Sequence, residues 1–392
     1  MKLGLENMTL LCHELGNPQQ KFPSVHIAGT NGKGSTTAMV GSMLRAAGYN
    51  VGVYTSPHLV DFRERITING ARIDKRFVVS FIEVNRSYIS RRKITFFELM
   101  TAMAFAYFAK RKTDIAVIEV GLGGRLDATN IIAPLVSAIT GISRDHMNVL
   151  GATLEAIAAE KAGIIKPGVP LILAKQPQAV RRVIKKIAKQ RHAPVMKLAP
   201  AQEVSRYSHK LPLSGRHQRE NLAVALSIVE ALQSRGYSVS KPAINKGIQF
   251  VNWPGRFQRL QTSSGATIVL DVAHNEGGLA ALYNTFRSEY PNRKAWIVMG
   301  FVRDKRLGLP LTQFHKIALS IHITRLPTKR SADPSDIAAE FGSREKIRTC
   351  ATCKTAFRAA FSSAKSGDLI LIMGSHYLVG EFLSSQSQYI SG

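Results

Sequence analysis

The chain has 392 residues, 45% of them apolar, which is enough core for two or three domains and excludes a disordered protein. Lysine and arginine number 53 against 26 acidic residues, and the net charge of +27 suits nucleic acid, anionic small substrates or a basic solvated surface. No apolar run reaches the roughly 18 residues of a membrane span, the start lacks a signal-peptide profile, and three cysteines are too few for a disulfide framework, which places the chain in a reducing cytoplasm.

The first periodic run, Met8, Leu10, Leu11 and Leu15, reads as a helix closing at Gly16-Asn17-Pro18. Val25-His26-Ile27 is a β-branched strand that breaks into Gly29, Gly32 and Gly34 around Lys33. The run Ala38, Val40, Met43, Leu44, Ala47 then predicts a helix ending at Gly48. Strand, glycine loop with a lysine, then helix N-terminus is a phosphate cradle. Glycines turn backbone N–H groups toward an anion, the helix dipole favours it, and lysine adds a point charge. The spacing departs from G-x-x-x-x-G-K-[ST], with Ile27 where the first glycine would stand and Gly34 where the hydroxyl would. The glycines alone leave an ordinary strand–helix turn open.

Val51 to Tyr54 reads as a strand ending in Thr55-Ser56-Pro57-His58-Leu59, and Ile66 to Ile73 as a hairpin. Thr95 and Glu98 form a capping box opening a helix through Ala109, which accounts for both residues without any further role. Asp114 to Val120 is a buried strand whose Glu119 is costly unless paired or on a metal. It leads into Gly121-Leu122-Gly123-Gly124-Arg125-Leu126-Asp127-Ala128-Thr129-Asn130, a turn that either flexes or must approach a ligand closely. Leu135 to Thr140 is a strand followed by His146. Thr153 enters a helix to Lys161. Val180, Val183, Ile184, Ile187 and Ala188 fit an amphipathic helix with a basic outer face, read as a solvated surface. A helix opens at His217, and Asn252 to Gln258 is a joint. Strands follow at 267–271, 295–299, 322–324 and 369–373 with helices between, which favours a parallel sheet. Cys350 and Cys353 form a single C-x-x-C and read as incidental.

G-T-N-G-K-G-S, T-S-P-H-L twenty residues on, and E-V-G-L-G-G-R-L-D-A-T-N together resemble the folylpolyglutamate synthase/dihydrofolate synthase family of the Mur ligase group, over most of the chain from Leu3 to about Tyr377. The resemblance implies an α/β fold. A P-loop ATPase domain with a mainly parallel sheet would span residues 1–252, a hinge 253–255, and a smaller Rossmann-like α/β glutamate-ligase domain 256–392. It implies ATP binding by Gly32, Lys33, Gly34, Ser35, Asn221, Arg256, Asp271 and His274. It implies two Mg²⁺ ions on Ser35, Ser56, Glu119 and His146. It places pteroate against Leu3, Gly4, Thr95, Phe97, Leu126, Asp127 and Ala128. Lys33, Glu119 and His146 would serve catalysis with Lys161, the lysine of E-K-A-G-I, which in the family carries a carbamate. That reaction needs a neutral amine. Lys2 stands where the family has an acid, and the absence here of the further upstream helix the family usually carries implies a trimmed chain or a different start.

The reading is an ATP-dependent ligase that adds L-glutamate to 7,8-dihydropteroate, and then to tetrahydrofolate, through an acyl phosphate. It is expected to act as a cytoplasmic monomer on small molecules without membrane or nucleic-acid partners. Folate-only members of the family tend to carry Arg at the position of Glu98, which leans toward dihydropteroate. A folylpolyglutamate synthase alone, another Mur-type ligase, and a basic nucleic-acid-binding P-loop ATPase remain as alternatives. The last leaves the glutamate–glycine motif unexplained.

Overall fold

The computed structural model describes residues 4–305, 307–343 and 345–390. Leu3, expected near the pteroate, lies outside them. By contacts the chain forms two compact units. The first holds the chain to Ile142, Met147–Pro212 and Gln218–Asn252. The second holds Ser143–His146, Leu213–His217 and the chain from Trp253.

The first unit is built on eight strands: β1 Ser24–Ala28, β2 Val51–Tyr54, β3 Ile66–Ile68, β4 Ala71–Arg72, β5 Ile115–Glu119, β6 Val136–Ile139, β7 Leu171–Leu173 and β8 Val195–Met196, in the order β4-β3-β2-β5-β1-β6-β7-β8. Along the order from β2 through β5, β1, β6 and β7 to β8 every pairing is parallel, and only the β2–β3 and β3–β4 pairings are antiparallel. β1 and β5 are buried along their whole length, as strands covered by helices on both faces must be. Their near-continuous apolar sequences follow from that. The predicted capping box is present, with Thr95 accepting from the Glu98 amide and Glu98 accepting from the Thr95 amide. The basic helix Gln178–Gln190 buries Val180, Ile184 and Ala188 and turns its cations outward.

The second unit carries β9 Gln258–Gln261, β10 Thr267–Asp271, β11 Ala295–Met299, β12 Ala318–Thr324, β13 Ile347–Cys350 and β14 Leu369–Met373, ordered β13-β12-β11-β14-β10-β9. All pairings are parallel except β9 on β10. Its core packs Val269, Ile297, Met299, Ile321, Ile323 and Leu371 under Leu279, Phe286 and Phe314. β12 starts four residues ahead of the expected His322. The short strands β7, β8, β9 and β13 were not expected. No helix among the described residues is long and apolar enough to cross a membrane.

His322, on β12, is 1% exposed, and neither ring nitrogen has a hydrogen-bond partner among the described residues. Burial and Arg348 hold its pKa below the ordinary value. An unpaired buried polar group costs about 1–3 kcal/mol, so H322L is expected to raise the unfolding free energy. The unfolded chain takes up a proton below its reference pKa of about 6.5 while the folded one resists. Stability from this site is therefore present above that pH and is lost on acidification. The advantage of H322L should widen as pH falls, measured by denaturant unfolding at neutral and acid pH. A variant less stable than the parent would contradict this.

Candidate active site

The parallel order β2-β5-β1-β6 puts the C-terminal ends of four strands side by side, where open α/β sheets hold ligands. β1 runs through Gly29 (φ +150°) and Gly32 (φ +92°) into the helix Lys33–Ala46. A Cβ on Gly32 would lie 2.2 Å from Asn221 Oδ1, and one on Gly29 would lie 1.8 Å from Thr140 Oγ1. Only glycine fits either place. The first intrahelical bond runs from the Thr36 amide to Gly32 O at 2.9 Å. Lys33, Gly34 and Ser35 precede it, and Gly32 brings no side chain to cap their amides. The hydroxyls of Thr36 and Thr37 are buried without partners among the described residues. A helix start with uncapped donors, no acidic residue in its first turn and a lysine at its mouth fits an anion.

Lys33 Nζ donates to Thr30 O at 3.3 Å and lies 3.9 Å from Glu119 Oε1. Glu119, 3% exposed at the end of β5, also accepts from the Ser56 amide at 3.2 Å. Lys33, Ser56 and Glu119 are thus brought together, and Ser35 is buried in the first turn of the helix, two residues after Lys33. Among the described residues no three His, Cys, Asp or Glu side chains cluster to hold a metal. An ion held by Glu119 would take its other ligands from hydroxyls, phosphate and water, the oxygen-rich shell that suits Mg²⁺.

The glycines after Glu119 have packing reasons. A Cβ on Gly121 would meet the Phe97 ring at 2.3 Å, and one on Gly124 would lie 2.7 Å from Glu160 O and 2.8 Å from Lys161 O. The loop lies on the helix Leu154–Ala162, where Lys161 is 4% exposed and donates to Gly29 O at 2.8 Å. Arg125 also pairs with Glu160 at 2.8 Å. Phe97, the Leu126–Ala128 segment, Lys161 and the phosphate loop therefore belong to one framework. Asp127 is buried. Its Oδ2 accepts from the Leu122 amide (2.8 Å), and its Oδ1 accepts from the Thr129 amide (3.0 Å) and hydroxyl (2.5 Å). Burial pushes its pKa up against those bonds. The Thr95 hydroxyl donates to Glu98 Oε2 at 2.7 Å and accepts from the Glu98 amide at 3.3 Å. Both side chains serve the helix cap, so an acceptor preference carried by Glu98 would act through the cap. Asn221, buried, donates to Gln218 at 3.0 Å while its oxygen leans over Gly32. Gly4 is the first described residue, and no neighbour lies within 4 Å of the place its Cβ would occupy.

In the second unit Asp271 ends β10 and accepts from the amides of Phe257 (2.9 Å) and Ala273 (2.8 Å). Burial raises its pKa although Arg256 opposes. His274 donates from Nδ1 to Val272 O at 2.8 Å, and burial with the Lys305 charge pushes it down to about 4. Ser143–His146 packs here. Asp145 meets Lys305 Nζ at 2.7 Å and Asn275 Nδ2 at 3.0 Å, and Lys305 reaches His146 Nε2 at 3.1 Å. An ammonium donates, so His146 Nε2 is the acceptor in that contact. Burial raises the pKa of Asp145, but Lys305 and the two histidines outweigh it and hold the group well below the carboxylate range. Asp145 was not singled out from sequence, and Lys305 was named only as the end of the strand-end loop 301–305 that the resemblance turns toward a cleft. Their one signal was a charged tip just past a strand end. Gln176 was missed too; it clamps the turn after β6 through Thr140 O (2.7 Å) and the Ile142 amide (3.2 Å).

The Mur ligase middle-domain family matches residues 27–229, and the Mur ligase glutamate-ligase-domain family matches residues 255–376. The dihydrofolate synthase/folylpolyglutamate synthase of Bacillus subtilis is 34% identical over 97% of this chain and 94% of its own length. The Escherichia coli FolC structure in complex with DHPP and ADP superposes with a TM-score of 0.85 at 31% identity, covering 99% of this chain and 94% of that one. A bifunctional folylpolyglutamate synthase/dihydrofolate synthase solved with Mn, AMPPNP and L-glutamate gives 0.86 at 28% identity, covering 99% and 95%.

Proposed function

The chain belongs to the dihydrofolate synthase/folylpolyglutamate synthase family of ATP-dependent Mur ligases, and on that footing we propose how its residues join L-glutamate to a pteroate carboxyl. The relatives' bound ADP, AMPPNP, Mn and L-glutamate support ATP, a divalent metal and glutamate as its own partners. The acceptor proposed is 7,8-dihydropteroate, with tetrahydrofolate taking further glutamates.

The observation that carries the reading is the Lys33–Glu119–Ser56 cluster beside an uncapped helix start. Carboxylate and amine do not condense unaided in water. The acceptor carboxylate attacks the ATP γ-phosphorus, the bond to the bridging oxygen breaks, and ADP leaves. Like charges meet in that step, so the cradle of Gly32, Lys33, Gly34 and Ser35 must hold the phosphates and offset their charge. Ser35, Ser56, Glu119 and His146 would hold two Mg²⁺ ions, which supply further charge neutralisation when bound. Glutamate then attacks the acyl carbon through its neutral amine, an amide forms, and phosphate departs. Arg256, Asp271 and His274 are assigned to the nucleotide, and Asn221 to its phosphate loop. The joint 253–255 is assigned as a hinge that closes on the acyl phosphate and excludes water. Lys161 is assigned as the carbamylated lysine. The three cysteines are free, which supports a reducing cytoplasm.

An acceptor labelled with ¹⁸O in its carboxylate tests the chemistry. The account expects one labelled oxygen in the released phosphate. Unlabelled phosphate would exclude the acyl phosphate.

A further inference from the structure

The interior of the first unit carries a polar chain that the ligase chemistry above leaves unused. His26 stands in the middle of β1, among Val25, Ile27 and Ala28, with no exposed surface. Its Nε2 is 2.8 Å from Thr129 Oγ1. The Thr129 hydroxyl, also fully buried, donates to Asp127 Oδ1 at 2.5 Å. Both Asp127 oxygens also receive backbone amides, from Leu122 and Thr129. A carboxyl proton would compete with those amides, so Asp127 is the acceptor. The single Thr129 proton is then spent on Asp127, and Thr129 Oγ1 must accept from His26. The imidazole therefore carries its proton on Nε2, and Nδ1 is left without a partner among the described residues. Burial and the Lys166 charge push the His26 pKa down to about 3, which agrees with a neutral ring. Lys166 itself donates to Asn130 O at 2.8 Å, so the cation beside His26 holds the same loop from its other end.

A polar ring with an orphaned nitrogen is an expensive filling for the centre of an apolar strand. What it supplies is one N–H aimed at Thr129. β1 also runs straight into the phosphate loop at Gly29. One strand thus fixes the nucleotide cradle at its end and the Leu122–Asn130 loop from its side.

We propose that His26 is a positioning residue for the acceptor substrate, orienting the Thr129 hydroxyl and through it the Asp127 carboxylate that shapes the Leu126–Ala128 wall. The proposal rests on the reading that this wall meets the pteroate. His26 touches neither ATP nor the reacting carboxyl in this account. Its loss should weaken acceptor binding and leave nucleotide binding alone.

The test compares H26L, which removes the donor, with H26Q, whose amide Nε2–H can take the place of the ring N–H. In H26L the Leu122 and Thr129 amides, which depend on Asp127, should exchange with deuterium about tenfold faster, and KM for dihydropteroate should rise about tenfold, the scale of one lost buried hydrogen bond. KM for ATP should stay within about twofold. H26Q should restore both readouts toward the parent. Equal rises in every KM, a lower melting temperature with unchanged exchange and KM, or no rescue by a folded H26Q would each overturn the proposal. Should H26L fail to fold, ¹⁵N shifts of the parent imidazole decide, since a proton on Nδ1 overturns the chain of donors. If the parent does not turn over dihydropteroate, the substrate assignment fails, while exchange and tautomer still judge the relay by themselves.

Discussion

Replacing Lys33 with methionine is expected to lower kcat by at least about a thousandfold, the scale of a lost charge clamp on a transferring phosphoryl group. Methionine keeps the stem and removes only the ammonium. That ammonium lies 3.9 Å from Glu119 and 3.3 Å from Thr30 O, at the mouth of the helix whose first amides have no cap. Its charge counts for most when negative charge moves between acceptor and phosphate, so kcat should fall more than KM for ATP rises. The lysine side chain is 16% exposed and methionine fills the same stem, so circular dichroism should match the parent. Glu119 keeps its Ser56 amide at 3.2 Å. Activity within about tenfold of the parent would remove Lys33 from the mechanism.

Gly124→Ala is expected to cost about 1–3 kcal/mol of stability by overpacking and about a hundredfold or more in kcat through misplacement. The new methyl would lie 2.7 Å from Glu160 O and 2.8 Å from Lys161 O. These are backbone atoms of a helix and cannot rotate away. Either the loop lifts or the helix Leu154–Ala162 shifts, and both carry assigned residues. A shift of the helix also drags Lys161 from Gly29 O, its 2.8 Å anchor on the phosphate loop. Thermal unfolding and steady-state kinetics read the two losses separately. Parental kinetics in a folded variant would show that the loop–helix contact is incidental to catalysis.

Much of the fold was legible because its central strands state their burial locally. β2, β10, β11 and β14 stand where apolar runs between turn residues put them. Thr95 and Glu98 announced their capping box by spacing alone. The edges were not legible. β9 is Gln-Arg-Leu-Gln and half exposed, β13 pairs on one side only, and β8 has two residues. Such strands exist because a neighbour offers backbone partners, which no local pattern records.

At the site, residue types were legible and their hydrogen-bond partners were not. Asp127 read as a polar residue in a ligand loop, yet both its oxygens are taken by Leu122 and Thr129. Asp271 likewise spends its oxygens on Phe257 and Ala273. Lys305 meets Asp145 across 160 positions of chain, and His26 meets Thr129 across 103. Pairings at such separations come from topology. They are also the ones that decide which charged groups remain available to substrates.

The most direct test is ligation itself: the purified chain with ATP, Mg²⁺ and L-glutamate, offered 7,8-dihydropteroate or tetrahydrofolate, with ADP, phosphate and the glutamylated product all measured. The account predicts one ADP and one phosphate for each amide formed with dihydropteroate, further addition on tetrahydrofolate, and none of it without glutamate. ATP hydrolysis that ignores both acceptors and responds instead to RNA or DNA would contradict the ligase assignment.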